Sequence, residues 1–274
     1  MSMVRRGFLA GTLLIPAACA AKMQESGDEK RQRQLKEDWP WLGHYAADNE
    51  KLIASGRKVD IVFMGDSITQ IWADSRPGFF TPGRIGRGIG GQTTPQMVLR
   101  MMADVIRLRP RLVHIMAGTN DVAGNTGKIT VQQSCDNLQA MTELAQAHGI
   151  AVLLGAVPPA DRFPWRPGVN PVEPIRLTNL FLQNYARRAR ATFIDYTGVL
   201  ATETGAMKPG MAFDGVHPTA QGFAAMEREL APVLKAHKAR GRSLRRWRCS
   251  SRRLPARRSS PRCRPTAATA SRSS

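Results

Sequence analysis

The stretch Val59-Asp60-Ile61-Val62-Phe63-Met64-Gly65-Asp66-Ser67-Ile68-Thr69 decides the fold. Val59 to Met64 is short, apolar and rich in branched side chains, the pattern of a buried strand. Gly65 to Ser67 then forms a turn where that strand gives way to a helix. Working outward, the same alternation continues. Strand-like runs recur at Arg84 to Ile89, Leu112 to Ala117, Ala151 to Val157 and Thr192 to Tyr196, each bounded by Gly, Pro, Asp or Asn. Between and after them lie helix-like runs at Thr94 to Arg107, Thr130 to His148, Pro174 to Arg190 and Thr219 to His237, with Gly149 as a stop for the second. Short connections between alternating strands and helices predict an α/β domain with a central, mostly parallel, five-stranded sheet covered on both faces. In such sheets ligands gather beyond the carboxyl ends of the strands, so functional residues are expected just after them.

The ends of the chain differ from this core. A net charge of +19 invites a nucleic-acid reading, but 13 of the 40 Lys and Arg lie in 238–274, a segment without acids, and three more are Arg5, Arg6 and Lys22. Residues 23–237 carry a net charge of only +3. Residues 1–21 combine Arg5-Arg6, an apolar run from Gly7 to Ile15 and small residues up to Ala20, the make-up of an export signal too short to span a bilayer. Arg5-Arg6-Gly7-Phe8-Leu9 resembles a twin-arginine signal, which implies passage through the twin-arginine machinery and a periplasmic or secreted product. Cleavage after Ala20 is expected in preference to lipidation at Cys19, because Pro16 suits a lipoprotein site poorly. Residues 22–57 read as a helical extension, interrupted near Pro40, that lies against a domain of residues 58–237. The Arg- and Ser-rich tail, 238–274, has too little apolar surface to order itself. Cys19, Cys135, Cys249 and Cys263 form neither a disulfide framework nor a zinc-like cluster, and no metal or other cofactor is expected.

Four clusters follow the strands. Gly65-Asp66-Ser67-Ile68-Thr69 places a hydroxyl at a strand's carboxyl end, beside N–H groups able to hold an anion, although Ser67 alone fits a helix N-cap equally well. Gly88 to Thr94 is a glycine-rich loop that lacks a dinucleotide or phosphate-binding pattern. Ala117-Gly118-Thr119-Asn120-Asp121 follows the third strand, and Asn there is also a common turn former. Asp214-Gly215-Val216-His217-Pro218 precedes the last helix, with a spacing that lets a carboxylate take Nδ1–H of His217 and aim Nε2 at a hydroxyl. Of the other histidines, His114 falls inside a strand and reads as core.

Taken together and in this order, the clusters resemble the blocks of the SGNH (GDSL-type) hydrolases from about Val59 to Leu230. The strings Gly65 to Gln70 and Gly86 to Thr94 are similar to bacterial relatives of the platelet-activating-factor acetylhydrolase catalytic subunits. The resemblance implies a flavodoxin-like three-layer fold and a compact, lidless serine esterase. It further implies Ser67 as nucleophile, His217 as base and Asp214 as its orienting acid, with an oxyanion hole of the Ser67 and Gly91 N–H groups and the Asn120 amide. Gln92 and Gly86 depart from the Asp and Asn common in that family. No Gly-x-Ser-x-Gly elbow is present, which disfavours the α/β-hydrolase fold.

The segment Pro158 to Pro174 follows the fourth strand, and its Phe163, Trp165 and Arg166 are candidate substrate-binding residues. Without a long apolar lid segment, short-chain or acetyl esters of small molecules or carbohydrates are the expected substrates. A glycan-binding envelope protein that keeps the fold but not the activity is the alternative, against which the complete set Ser67, Asn120, Asp214 and His217 argues. The basic tail suits weak, salt-dependent contact with polyanions, but export removes access to nucleic acid, and no specific nucleic-acid partner is expected.

Overall fold

The structure, a computed structural model, describes residues 26–250, except the side chains of 28 and 240–250. The expected export signal with Cys19 and the tail beyond Ser250 lie outside the described residues. Five strands form one sheet: β1 (Ile61–Gly65), β2 (Arg84–Gly88), β3 (Leu112–Met116), β4 (Ala151–Gly155) and β5 (Thr192–Ile194). Their order is β2-β1-β3-β4-β5 and every pairing is parallel. This is the flavodoxin-like order, in which the winding direction reverses between β1 and β3 and opens a crevice at their carboxyl ends.

The alternation of side chains along each strand splits the core into two layers. In β1, Val62 and Met64 point into a cluster with Met97, Met101, Leu138, Met141 and Leu182. These come from α4 (Thr94–Asp104), α6 (Val131–Ala147) and α7 (Val172–Arg188). Ile61 and Phe63 point to the other face, toward Trp72, Leu200, Phe223, Met226 and Leu230. Those belong to α3 (Ser67–Ser75), α8 (Thr197–Leu200) and α9 (Ala220–Ser250). Trp72 is fully buried between the stacked rings of Phe79 and Phe223, at 5.3 and 5.8 Å. Truncating such a side chain to Ala typically costs about 3–5 kcal/mol.

The helical extension forms α1 (Gly27–Glu37) and α2 (Ala46–Ala54), parted at Pro40 as the sequence predicts. Ser26 and Glu29 close a capping box that starts α1. Polar contacts fasten this extension to the domain. The Tyr45 hydroxyl donates to the Gly88 carbonyl, and Asn49 donates to Asp104 Oδ1 at 2.6 Å while accepting from Arg87 Nε at 2.9 Å. Beneath them Arg100 and Asp104, 0% and 1% exposed, pair at 2.5 Å, and Arg100 also donates to the Arg87 carbonyl. An ion pair this deep repays its desolvation only through such added hydrogen bonds.

Two elements depart from the sequence reading. The last helix continues to Ser250, past the expected end at His237 and into the segment expected to be without order. Residues 238–250 contain Ala, Leu, Lys and Arg, all good helix formers, with Gly241 the one weak position and no proline. The short helix α5 (Thr119–Val122) occupies the Asn120 loop, which the sequence marks as a turn.

Candidate active site

The turn after β1 brings Ser67 to the crevice. Asp66 caps α3 by accepting the Ile68 N–H at 2.9 Å, so Ser67 stands as the first residue of that helix, at its positive end. Burial raises the Asp66 carboxyl to about 6, against the pull of the Ile68 N–H. Gly65 is required by close approach: a Cβ there would meet Thr69 Oγ1 at 2.1 Å and the Met116 carbonyl at 2.7 Å. The hydroxyl is therefore carried on a turn that the neighbouring strand and helix leave no room to alter.

His217 reaches the same point from 150 residues away. Its Nε2 lies 2.8 Å from Ser67 Oγ, and its Nδ1 lies 2.7 Å from Asp214 Oδ2. The other carboxylate oxygen, Oδ1, accepts the N–H groups of Val216 and His217 at 2.9 and 2.8 Å. One oxygen thus folds the loop while the other orients the ring, and the positive φ of Gly215, 86°, lets the chain turn tightly enough for both. Burial pushes the Asp214 carboxyl up, but these donors and the imidazole outweigh it and hold the group below the usual carboxylate range. His217 sits between two aromatic rings, Phe213 stacked at 5.5 Å and Trp165 tilted at 5.8 Å.

Gly91 and Asn120 face the same cleft. Asn120 is buried, and its Nδ2 donates to the Gln92 carbonyl at 3.0 Å while its Oδ1 accepts from Asn125 Nδ2 at 2.8 Å. Asn125 Nδ2 also reaches the Gly91 carbonyl at 3.3 Å, and Gln70 Oε1 accepts the Gly90 N–H at 2.8 Å. Gln92, one of the two family departures, donates to the Pro40 carbonyl at 2.8 Å and so ties this loop to the helical extension. Beside it, Asp121 accepts from Thr94 and Ser134, and burial raises its carboxyl. The effect is to fix the Gly91 loop and the Asn120 amide at one rigid junction.

The cleft holds about 530 Å³ and is lined by Ser67, Gly91, Asn120 and His217, together with Asn125, Trp165 and Arg166 and with Arg31, Gln32 and Leu35 of α1. Of the three substrate-loop candidates, Trp165 and Arg166 line it. Phe163 does not: it is 2% exposed and packs with Val157, Ala160, Ile175 and Val216, supporting Trp165 from behind. The contribution of α1 is absent from the sequence reading, which pictures a site without a covering segment. The capping box at Ser26 and Glu29 is legible and marks the start of α1, but nothing in that polar helix points to the cleft. Asn125 and Phe213 were missed as well, each a neighbour of a recognised cluster. Among the described residues no group of His, Cys, Asp and Glu is placed to hold a metal ion. No described helix is long and apolar enough to cross a membrane.

The chain is similar to several known proteins. The profile of the GDSL-like Lipase/Acylhydrolase family matches residues 63–225, more than half of the chain. A GDSL-like lipase of Bacteroides thetaiotaomicron VPI-5482 is 38% identical, with a TM-score of 0.69 over 73% of this chain and 99% of that structure. A candidate acylhydrolase of Bacteroides fragilis NCTC 9343 is 39% identical, with the same TM-score over 73% and 98%. The uncharacterized lipoprotein YqeF of Bacillus subtilis (strain 168) is 41% identical over 73 residues, 26% of this chain and 30% of that protein, so the match spans under a third of that relative. With its all-parallel sheet in flavodoxin order, its aligned hydroxyl, imidazole and carboxylate and these matches, the chain belongs to the GDSL-like lipase/acylhydrolase family of SGNH-type hydrolases.

Proposed function

We propose that the chain hydrolyses short-chain or acetyl carboxylic esters through a covalent acyl-enzyme on Ser67. The observation that carries this reading is the continuous line Ser67 Oγ, His217 Nε2, His217 Nδ1, Asp214 Oδ2, with separations of 2.8 and 2.7 Å. His217 takes the proton of the Ser67 hydroxyl as Oγ attacks the ester carbonyl carbon. The bond to the leaving alkoxide then breaks, and His217 returns the proton to it. Water repeats the sequence on the acyl-enzyme, releasing the acid and restoring Ser67. Asp214 remains ionised, fixes the tautomer and stabilises the imidazolium. The tetrahedral oxyanion is held by the N–H groups of Ser67 and Gly91 and by Asn120 Nδ2. Acetyl or short acyl groups suit an open cleft of about 530 Å³ whose lining is about half polar.

Export to the envelope belongs to the same proposal, as do the boundaries of the leader, extension, domain and tail. Signal cleavage and lipidation are separated by fractionating cells that express wild type and Cys19→Ser: loss of membrane association in the variant alone supports a lipid anchor. The catalytic reading is tested with p-nitrophenyl acetate. Wild type should show a burst of one nitrophenolate per chain when acylation outruns deacylation, and an acetyl adduct on Ser67 by mass spectrometry after acid quench. Full turnover by Ser67→Ala would refute it, and absence of turnover in the folded wild type would favour the glycan-binding alternative.

A further inference from the structure

The cleft has a charge pattern that ester hydrolysis alone does not explain. Among the described side chains it is lined by two arginines, Arg31 and Arg166, and by no acidic residue, since Asp214 stands behind His217. Arg31 comes from α1 and lies directly against the loop of the expected oxyanion hole: a Cβ built on Gly91 would be 3.0 Å from both its Nη1 and its Nη2. Among the described residues it makes no ion pair or hydrogen bond. Arg166 lines the same cleft and makes one long hydrogen bond, 3.3 Å, to the Gly124 carbonyl. Elsewhere in the chain arginines near carboxylates are engaged, as Arg76 is with Glu227 and Arg176 with Glu173. Two guanidiniums lining one open cleft, one of them without and the other with a single long hydrogen bond among the described residues, suit a carboxylate or phosphate. Neighbouring Gln32 adds a polar side chain to the same lining.

We propose that Arg31 and Arg166 select esters that carry an anionic group, carboxylate or phosphate, close to the ester bond. The proposal rests on the serine-esterase reading above and names the substrate class for that site. Arg31 then makes α1 a specificity element of the active site, held there through the polar contacts of the extension. The anion is bound without bond making or breaking, so the chemistry at Ser67 is unchanged.

Matched ester pairs test this in the full chain at pH 8 and low salt. The anion is placed on the alcohol side by 4-acetoxybenzoate against 4-acetoxybenzamide, and as phosphate by 4-acetoxyphenyl phosphate against its dimethyl ester. It is placed on the acyl side by monomethyl adipate against dimethyl adipate, followed by proton release. The readout is the anionic-to-neutral ratio of kcat/KM, which cancels differences in folded fraction. Wild type should favour the anionic member of at least one pair by about tenfold, the scale of one charge-assisted contact. Arg31→Gln and Arg166→Gln should each bring that ratio toward unity, 0.3 M salt should shrink it, and Arg31→Lys should keep most of it. A ratio near one in all three wild-type pairs, or a preference that survives both glutamine substitutions, overturns the inference while neutral-ester turnover leaves the esterase reading intact. Turnover of the neutral esters undiminished in Ser67→Ala would instead overturn the esterase reading.

Discussion

Two histidines in this fold each hold a hydroxyl through Nε2, yet they sit in opposite worlds. His217 faces Ser67 Oγ at 2.8 Å in the cleft, and His114 faces the Tyr196 hydroxyl at 2.9 Å inside the sheet. The difference lies at the other nitrogen. Nδ1 of His217 meets the Asp214 carboxylate, whereas Nδ1 of His114 is buried without a partner among the described residues. Burial lowers His114 to about 3, so it stays neutral and its hydroxyl partner is a packing contact. A hydroxyl and an imidazole in contact therefore do not by themselves make up the proposed site. A carboxylate that can compensate the imidazolium, and an opening to substrate, are what separate the two pairs.

The comparison can be broken most severely at Asp214. Asp214→Asn should lower kcat for p-nitrophenyl acetate by roughly 10⁴-fold, because the amide favours the wrong tautomer of His217. If the loss is under tenfold, the carboxylate is not what distinguishes His217. The buried pair gives the next largest effect, in stability. Unfolded His114 binds a proton below about 6.5 while folded His114 does not until about 3, so its contribution is present above 6.5 and lost as pH falls. Between pH 6.5 and 3.5 that amounts to roughly 4 kcal/mol. Urea denaturation of wild type and His114→Asn across this range should show a steeper fall for wild type, and parallel curves would contradict the assignment.

A smaller effect is expected at Asn120. Asn120→Ala should reduce kcat by about 10²–10³ with little change in KM, as loss of one oxyanion donor does, and an equal rise in KM would point to ground-state binding instead. Smallest is Tyr196→Phe, which removes the hydroxyl facing His114. It should cost about 1–3 kcal/mol in denaturant unfolding by leaving a buried nitrogen unsatisfied, with kcat/KM changed by less than about threefold. A large catalytic loss there would mean that the inner histidine takes part in the chemistry.

Much of this was open to reading from residues, for a local reason. β1, β3 and β4 announce themselves by runs of mostly buried apolar residues, and Ser67, Gly91, Asn120 and the Asp214-to-His217 pair each sit a few residues past a strand or before a helix. Asp214 and His217 are three apart, so their hydrogen bond is almost a property of the sequence. What escaped reading depends on contacts distant in sequence. Arg31 reaches Gly91 across 60 positions, and a polar helix with a solvated composition carries no sign of which loop it faces. Phe163 and Trp165 are two residues apart in an irregular segment, where no periodicity says which ring turns inward. The continuation of α9 to Ser250 escaped because low apolar content argues against burial, not against a helical backbone.

The Arg100 and Asp104 pair beneath the helical extension has a consequence for inheritance. Replacing either alone strands the other charge in the interior, a loss typically near 3–5 kcal/mol, while exchanging both for apolar residues of similar volume is often neutral or favourable. The two codons therefore form a single unit of variation. A library randomised at one of them should lose most of its folded members, whereas one randomised at both should recover Met and Leu combinations.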